Sequence, residues 1–389
     1  MSQKNSARIY LDYAATTPPS REAVAAMAGA SEAGSYNPSS LHAEGRRARA
    51  LLDEARDRVA SALGAARKEV AFTASGTEAD NHALVGVVRA LGRRGHVVVS
   101  AIEHHAVLRA AEALRDEGFD LTILPVDECG RVDPRAFAEA LRDETLVASV
   151  MYANNEIGTV QPIAELAALA HERRVVFHTD AVAAAGWLPI DAPSLGIDLL
   201  SLSAHKYYGP KGTGVLYVRD GTPLAPLVRG GGQEFGRRSG TENLAGIVGA
   251  ATALERAVNG RETAVRRTGA LRDRLQAGIC ETIPDVRING ADAARLPNNL
   301  NVSFAGIESE ALLVRLDLAG VAVSAGSACT SGVLEPSHVI AALESGSRWQ
   351  TGVIRFSLGT PTTQPEIDQV LEILPPMVAS LRRFAGTPT

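Results

Sequence analysis

The sequence contains little cysteine, no long apolar run and no excess of basic residues, and each shortage excludes a class of protein. Only three of the 389 residues are cysteines, and no Cys-x-x-Cys pair occurs, which argues against a disulfide framework and a structural zinc site. No stretch reaches the roughly 18 to 20 apolar residues of a membrane-spanning helix. Lysine and arginine total 39 against 44 acidic residues, so binding to nucleic acid or to an anionic membrane is not expected.

The remaining composition is that of an ordinary globular protein. Hydrophobic residues make up 46% of the chain and charged residues 21%, which excludes disorder as the main state. Residues 1–8 lack the apolar segment of a secretion signal, so we expect a cytoplasmic protein. With an odd number of cysteines, at least one thiol stays free.

Strand-like and helix-like segments alternate between Glu69 and Val218, which is typical of βαβ units and a mostly parallel sheet. Runs such as Val97-Val98-Val99 are apolar throughout, as expected for strands that helices cover on both faces. The predicted strands are Glu69–Thr73, His96–Ala101, Leu121–Pro125, Leu146–Tyr152, Val175–Thr179, Asp198–Ser203 and Gly214–Val218. The predicted helices are Ser40–Leu63, Gly76–Leu91, His105–Glu117, Asp133–Leu141, Ile163–Glu172 and Thr241–Val258.

The composition changes after Asn259, where an arginine-rich helix over Glu262–Thr282 is predicted. This change places a boundary near residue 260 and predicts a second, smaller α+β domain. Its expected strands and final helix are Asn299–Ser303, Val321–Ser324, Val353–Ser357 and Pro365–Phe384.

A candidate anion site lies where the strand Glu69–Thr73 turns into the helix that begins at Gly76. Gly76 and Thr77 could approach a phosphate closely there, because the N–H groups and dipole of a helix N-terminus attract anions. A plain helix cap by Ser75 or Thr77, with Asp80 complementing the dipole, explains the same residues. The turn alone leaves both interpretations open.

Asp180 and Lys206 follow the ends of two later strands, where open α/β sheets bind ligands. Asp180 could instead cap the next turn, and most lysines, such as Lys211, are solvated surface charges. A desolvated Lys206 near other cations would become a nucleophilic amine. A phosphate turn, an acid and an amine are together the parts that hold pyridoxal phosphate: the lysine forms a Schiff base and the acid partners the pyridinium nitrogen.

Six specific motifs stand in order along the chain: Ser75–Asn81, Asn154-Asn155-Glu156-Ile157-Gly158, His178-Thr179-Asp180-Ala181, Ser203-Ala204-His205-Lys206, Arg237-Arg238-Ser239-Gly240-Thr241-Glu242-Asn243 and Ser324–His338. In this order they resemble the pyridoxal-phosphate-dependent cysteine desulfurases, a class-V aminotransferase-like family involved in iron–sulfur cluster and thiolation chemistry. The resemblance covers nearly the whole chain, from Tyr10 to Arg355.

The resemblance implies an α/β fold of the aspartate-aminotransferase type (fold type I). A large domain, residues 16–260, would carry a mainly parallel seven-stranded sheet and bind pyridoxal 5'-phosphate. A small α+β domain, residues 1–15 with 261–389, would carry the loop of the catalytic cysteine. A homodimer is implied as well, because Thr241 would be supplied to the neighbouring subunit's site.

The resemblance also implies a role for each site residue. Lys206 would carry the Schiff base, Asp180 would keep the ring nitrogen protonated, and His104 would stack on the ring. Asn155 would lie near the phenolic side of the cofactor and the substrate, and Arg355 would clamp the substrate carboxylate, which suits a planar guanidinium. The phosphate would be held by Gly76, Thr77, Ser203, His205 and Thr241. His104 could instead be a core histidine, and Arg355 a surface ion-pair partner.

Cys329 lies in a stretch of small residues, Ser324 to Gly332, with no apolar period, so we expect an exposed, mobile loop there. Glycine and serine would supply its freedom. A mobile thiol suits attack on a substrate sulfur, and Cys329 resembles the family's persulfide-forming cysteine. Cys129 and Cys280 are expected to be buried small hydrophobic residues.

The implied reaction removes sulfur from L-cysteine, giving L-alanine and a persulfide on Cys329 that passes to a sulfur-acceptor protein. Lys206 would take the Cα proton, and His104 would move protons to or from the substrate thiol. No metal is implied. Two alternatives stay open: a selenocysteine lyase or related C–S lyase of a specialised biosynthetic pathway, and a non-catalytic cofactor-binding protein. Alanine with a protein persulfide, or pyruvate with sulfide, would distinguish the enzymes.

One position departs from the family pattern. After Asp180-Ala181-Val182 the family usually has a glutamine that donates a hydrogen bond to the phenolic oxygen of the cofactor, whereas this chain has Ala183. Loss of that donor raises the proton affinity of the conjugated phenolate and imine.

We therefore predict that the protein binds its cofactor but has an altered Schiff-base pKa, and that Ala183→Gln shifts this pKa downward. The measurement is a pH titration of the cofactor absorbance in both proteins. An unchanged titration in Ala183→Gln would contradict the proposed effect of the missing donor.

Overall fold

Twelve strands and twelve α-helices occur among the residues that the computed structural model describes, which are 8–34, 36–325, 337–343, 346–384 and 386. The strands are β1 (Ile9–Tyr10), β2 (Val70–Thr73), β3 (His96–Ser100), β4 (Asp120–Leu124), β5 (Thr145–Ser149), β6 (Val176–Asp180), β7 (Leu199–Ser203), β8 (Gly214–Val218), β9 (Val286–Ile288), β10 (Asn299–Phe304), β11 (Val321–Ala322) and β12 (Val353–Ser357). The helices are α1 (Arg21–Gly34), α2 (Ala43–Ala62), α3 (Gly76–Leu91), α4 (His105–Asp116), α5 (Pro134–Ala140), α6 (Ile163–Glu172), α7 (Ala192–Leu195), α8 (Leu244–Asn259), α9 (Arg261–Thr282), α10 (Ser309–Leu318), α11 (His338–Ala342) and α12 (Gln364–Phe384).

The largest sheet has seven strands in the order β2-β8-β7-β6-β5-β3-β4. Strand β8 runs antiparallel to both of its neighbours, and the other pairs are parallel. The mainly parallel seven-stranded sheet expected from the sequence is therefore confirmed. Because two antiparallel steps restore the direction, the carboxyl end of β2 lies at the same edge of the sheet as that of β7.

Helices cover both faces of this sheet, which explains its apolar strands. Along β3, Val98 packs into one hydrophobic cluster with Leu52 of α2, whereas Val97 and Val99 pack into a second cluster with Leu84 of α3. Successive side chains of a strand point to opposite faces, so a strand covered on both sides needs apolar residues at every position.

The last third of the chain forms a separate hydrophobic cluster around a second sheet, in which β10 pairs antiparallel with β9 and β12. Strand β1 belongs here too, because it pairs with β11 and Ile9 and Leu11 join that cluster. Between α8 and α9 a single residue, Gly260, connects the two regions. The domain limits at residues 15 and 260 stay a prediction.

Some elements differ from the sequence-based prediction. Helices α1 and α10 were not predicted, although Ser20 after Pro18-Pro19 caps α1 by accepting a hydrogen bond from Ala23 N at 3.1 Å. The helix predicted over Thr241–Val258 begins at Leu244, because Asn243 caps it and accepts from Gly246 N. Thr241 is therefore a loop residue.

A buried ion pair holds the loop that leads to Thr241. Arg56 of α2 donates to both carboxylate oxygens of Glu234, at 2.5 and 2.7 Å, and Glu234 also accepts from Phe72 N in β2. The side chains are 2% and 1% exposed. Breaking one partner of such a pair leaves a buried charge uncompensated, so this pair ties the loop to α2 and β2.

Within the described ranges, no helix combines the length and the apolar character that a transmembrane span requires.

Candidate active site

Four neighbouring parallel strands end at one edge of the large sheet, and the predicted site residues follow those ends. His104 comes after β3, Asn155 after β5, Asp180 ends β6 and Lys206 follows β7. The chain turns from β2 into α3 at the same edge. This edge is where open α/β sheets bind ligands.

The start of α3 is built for a close anion contact. Ser75 caps the helix and accepts from Glu78 N at 3.1 Å, while Gly76 lies against Ser203 at the end of β7. A Cβ added to Gly76 would lie 2.9 Å from Val182 Cγ2 and 3.2 Å from Ser203 Cβ, so a side chain would fill this space. First-turn N–H groups have no partner within their own helix. The turn therefore fits a phosphate.

Lys206 is half-buried on a short 3₁₀ turn, Ala204–Lys206, directly after β7. Its Nζ donates to the backbone carbonyls of Ala14 and Ala15, at 2.5 and 2.9 Å. The residues before α1 therefore position the amine through two neutral backbone acceptors. A lysine amine positioned at this edge can bind an aldehyde once it has lost its proton.

Asp180 is a buried carboxylate at the end of β6, with 4% of its surface exposed. Burial raises its pKa to about 6. The Val182 N–H, 2.8 Å from Oδ1, and the Lys206 charge act in the opposite direction, because both stabilise the ionised carboxylate. Asp80 of α3 is buried beside it, and burial followed by the Asp180 charge raises the pKa of Asp80 well above its usual range. The two acids cannot easily both ionise, so the pair of Asp180 and Asp80 carries one negative charge at neutral pH.

This arrangement corrects one interpretation from the sequence. Asp80 does not complement the dipole at the start of α3, because it lies beyond the first turn, whose acid is Glu78, and burial raises the pKa of Asp80 well above the usual range. His178 of β6 lies 3.7 Å from Asp80 Oδ1, and burial lowers the pKa of His178 to about 3. His178 is therefore neutral and cannot neutralise Asp80.

His104 is the N-cap of α4, and this role determines its tautomer. Its Nδ1 accepts the N–H of Ala106 at 3.1 Å. Burial, then the charges of Lys206, His105 and His338, lower its pKa to about 4, so the ring is neutral at pH 7. With Nδ1 accepting, the single ring proton is on Nε2.

Glu103, next to His104, is a fully buried acid that the sequence analysis did not single out. Its Oε1 accepts from Ser100 Oγ at 2.5 Å and from Met151 N at 2.7 Å, and Oε2 has no partner in the described part of the chain. Burial is the largest effect and raises its pKa to about 8. Glu103 is therefore protonated at neutral pH in the folded protein.

Arg355 of β12 links the smaller sheet to this edge. It is 1% exposed, so it is not a surface residue; Nη2 donates to Asp12 Oδ1 at 2.9 Å and Nη1 to the carbonyl of Asn155 at 3.1 Å. Its Nε is buried with no partner among the residues described. Asn155 is half-buried and faces the guanidinium through its backbone oxygen. Arg355 therefore retains a buried donor for a further acceptor.

Two predicted phosphate ligands have different surroundings. The Nδ1 atom of His205 lies 3.0 Å from Thr16 Oγ1, and burial lowers the pKa of His205 to about 4, so this histidine is neutral at pH 7. Thr241 is exposed and lines a separate cavity of about 160 Å³ with Ala74 and Thr213. Neither Gly76 nor Ser203 lines that cavity. Thr77 is exposed at the start of α3.

Cys329 lies outside the described residues, but the chain on either side of residues 326–336 ends at the site. Ser324 pairs with Arg355 through two backbone hydrogen bonds, of 2.6 and 3.2 Å. Ser337 Oγ donates to Glu156 Oε2 at 2.6 Å, and His338 Nε2 contacts the carbonyl of Glu103 at 2.9 Å. Both flanks of the Cys329 segment therefore contact residues that surround the candidate site.

The other two cysteines were expected to be buried core residues, and this expectation is wrong. Cys129 is half-buried and Cys280 is exposed. Helix α9 buries Ile279, and one further residue turns the side chain about 100° away from that face, so Cys280 points to solvent. Both thiols serve as comparison cysteines for Cys329.

Four acids of the site were not identified as site residues from the sequence, because none has a distinctive local pattern. They are Asp12, Glu103, Glu156 and Asp80, the last of which was given a different role. Signals existed nonetheless. Glu103 stands beside His104, Glu156 stands inside the Asn154 to Gly158 motif, and Asp80 is one helical turn after Gly76. Their burial depends on contacts far apart in the sequence, which spacing does not reveal.

Comparisons with known proteins agree along the chain. A family model described as aminotransferase class-V matches residues 9–370. Cysteine desulfurase IscS of Dictyoglomus turgidum is 48% identical over 378 residues, covering 97% of this chain and 96% of the relative. Cysteine desulfurase NifS of Azotobacter vinelandii is 46% identical over 380 residues, with 97% and 94% covered. A solved NifS-like protein superposes with a TM-score of 0.90 at 35% identity, over 96% of this chain and all of that one.

The raised pKa of Glu103 predicts a pH dependence of stability. Burial raises the pKa of Glu103 from 4.5 in the unfolded chain to about 8 in the folded protein. The stabilisation that the bound proton gives the folded state is therefore complete below pH 4.5, and it is lost as the pH rises from there through 8. Between these values stability falls by about 1.4 kcal/mol per pH unit relative to Glu103→Gln, whose amide oxygen keeps both accepted hydrogen bonds. Urea unfolding at several pH values measures the difference.

The control is Glu117→Gln, an exposed carboxyl at the other end of α4, which should follow the wild-type pH dependence. A stability difference between wild type and Glu103→Gln that does not vary with pH would show that Glu103 is ionised in the folded state.

Proposed function

The chain belongs to the class-V aminotransferase family and is a pyridoxal-phosphate-dependent cysteine desulfurase, and from this premise we propose that Lys206 and Asp180 hold the cofactor while Cys329 receives the sulfur. The observation that carries the assignment is the convergence of Lys206, Asp180, His104 and the Gly76 turn at one edge of the sheet. The substrate is L-cysteine and the products are L-alanine and an enzyme persulfide.

Pyridoxal phosphate supplies an electron sink that stabilises negative charge at the substrate Cα. The chain supplies the groups that hold it. Gly76, Thr77, Ser203 and His205 bind the phosphate, and the single negative charge shared by Asp180 and Asp80 keeps the ring nitrogen protonated. Lys206 binds the aldehyde carbon and then moves the Cα proton of the substrate.

His104 acts as a proton donor in this proposal. Its neutral ring carries one proton, on Nε2, while the cap of α4 occupies Nδ1. To accept a proton on Nε2 as a neutral base, the ring would have to change tautomer and lose the cap hydrogen bond. Donation from Nε2 towards the substrate requires neither change.

Arg355 holds the carboxylate of L-cysteine. The guanidinium is already oriented by Asp12 and by the Asn155 carbonyl, and its buried Nε offers the further donor. A preoriented guanidinium loses less freedom when it binds a carboxylate than a solvated one does.

Cys329 takes the sulfur atom. The thiolate attacks the substrate sulfur, an S–S bond forms, the Cβ–S bond breaks and the electron pair stays with the alanine product, which is then protonated. The flanks held by Arg355 and Glu156 support this role because they begin and end the Cys329 segment at the site. The persulfide then passes to an acceptor protein, whose identity the chain does not specify.

A homodimer completes the proposal. Exposed Thr241 lines a cavity that neither Gly76 nor Ser203 of its own chain lines, which supports delivery to the phosphate of a second copy. Exposed Cys280 and half-buried Cys129 are unpaired thiols, which supports a reducing compartment, the cytoplasm.

Incubation with L-cysteine should add one sulfur, about 32 Da, to the protein, and reductant should remove it. Intact mass spectrometry measures the gain. Cys329→Ser should show no such gain, because the accepting thiol is gone. Cys129→Ser and Cys280→Ser should still gain the sulfur. Sulfur found on Cys129 or Cys280 in the wild type would refute the assignment to Cys329.

Subunit mixing tests the shared site. Lys206→Ala alone should have no desulfurase activity, and Thr241→Ala alone should have weakened activity. In a mixed dimer, one site combines the intact Lys206 with the intact Thr241 of the other chain, so activity should return to about a quarter of wild type after random exchange. Alanine production reports it. No recovery despite exchange, shown by two differently tagged chains, would place Thr241 in its own subunit's site.

A further inference from the structure

A second cavity, of about 270 Å³, lies behind the turn that carries Lys206. Its walls come from that turn, from the end of α8, from the start of α9 and from Trp187. Of the proposed site residues that the structure describes, Lys206 lines it, whereas Asp180, His104, Ser203 and Arg355 do not. Its size is near the lower end of that of small-molecule sites.

Two residues that line this cavity carry buried hydroxyls with no hydrogen-bond partner in the described part of the chain. Tyr207 and Thr268 are each 1% exposed, and neither the Tyr207 hydroxyl nor Thr268 Oγ1 bonds to any group in the described ranges. Burial raises the pKa of Tyr207 well above its usual 10, so the phenol keeps its proton and can donate. Unpaired buried hydroxyls are costly, and a ligand with a polar atom at this depth would satisfy them.

Apolar side chains share the remaining walls of the cavity with Ser20, Thr263 and Thr360, and its charged side chains are positive. Ala253, Ala257, Ala264 and Trp187 provide the apolar surface. Arg267 is exposed, and its Nη2 donates only to backbone carbonyls, those of Thr360 and Thr362.

Arg256 lines the cavity too, and its ion pair with Glu22, at 3.3 Å, is more than half exposed on both sides. For Arg267, no carboxylate of the described residues lies within ion-pair distance. The cavity therefore combines an unneutralised cation, apolar walls and unsatisfied hydroxyls.

We propose that this cavity is a second ligand site, which binds a small organic acid with an apolar body and a further hydrogen-bonding group. The carboxylate pairs with Arg267, the body packs between Trp187 and the alanines, and the further group bonds to Tyr207 and Thr268. The ligand contacts the turn of Lys206 in a cavity that Asp180, His104, Ser203 and Arg355 do not line. The site is distinct from that of L-cysteine.

The probe is 4-hydroxyphenylacetate, titrated into the cofactor-loaded enzyme by isothermal calorimetry. We expect saturable binding, weakened at least about fivefold for phenylacetate, which lacks the hydroxyl, and for 2-(4-hydroxyphenyl)ethanol, which lacks the charge. Arg267→Gln and Thr268→Val should each weaken binding of the probe by about five- to tenfold. Ala257→Leu fills the cavity and should abolish binding.

Matched controls are Arg266→Gln, an exposed arginine of α9 outside the cavity, and Ala257→Ser, which keeps the space open. Both should bind like wild type. If Ala257→Leu does not fold, as judged by circular dichroism and cofactor absorbance, Arg267→Gln and Thr268→Val carry the test. Absence of saturable binding to wild type, equal binding by Arg267→Gln and Arg266→Gln, or unchanged binding in a folded Ala257→Leu would overturn the proposal.

Discussion

The burial of one negative charge at the end of β6 is the constraint around which this site is organised. Asp180 is 4% exposed, and the protein opposes the cost of its ionisation with the Val182 N–H and the ammonium of Lys206. Burial keeps the neighbouring titratable groups neutral: His104, His178 and Glu103 all have pKa values shifted towards the uncharged form. The site therefore has few charges that compete with Asp180 and Lys206, so each acts at close range in a medium that screens weakly.

The seven-stranded sheet and the three-stranded sheet are linked by side chains that hold one another in place. Arg355 comes from β12, Asp12 follows β1 and Asn155 follows β5, yet the three contact directly. The carbonyls of Ala14 and Ala15, close to Asp12 in the chain, receive the amine of Lys206. The segment before α1 thus connects Arg355, which we propose to bind the substrate carboxylate, to Lys206, which we propose to bind the cofactor.

The sequence predicted the large sheet well because its signals are local. Apolar runs such as Val97-Val98-Val99 mark buried strands, and α3 and α6 begin and end where predicted. The sequence also indicated Lys206 and Asp180, because both follow strand ends and the ends of parallel strands meet at one edge of the sheet. The six motifs indicated the same two residues. What the sequence could not supply depends on tertiary contacts: the burial of Asp80, the pairing of Arg355 with Asp12, and the exposure of Cys280.

The backbone pairing of Ser324 with Arg355 fixes one end of the Cys329 segment at the candidate site. Cys329 stands four positions after Ala325, and an extended chain covers at most about 3.6 Å per residue, so its Cα can lie at most about 14 Å from that of Ala325. If Cys329 carries the sulfur, as we propose, a partner that takes it must bring its acceptor atom inside a sphere of that radius around Ala325, extended by the length of the cysteine side chain. The exchange is then short-range, and the partner must be shaped to reach the thiol.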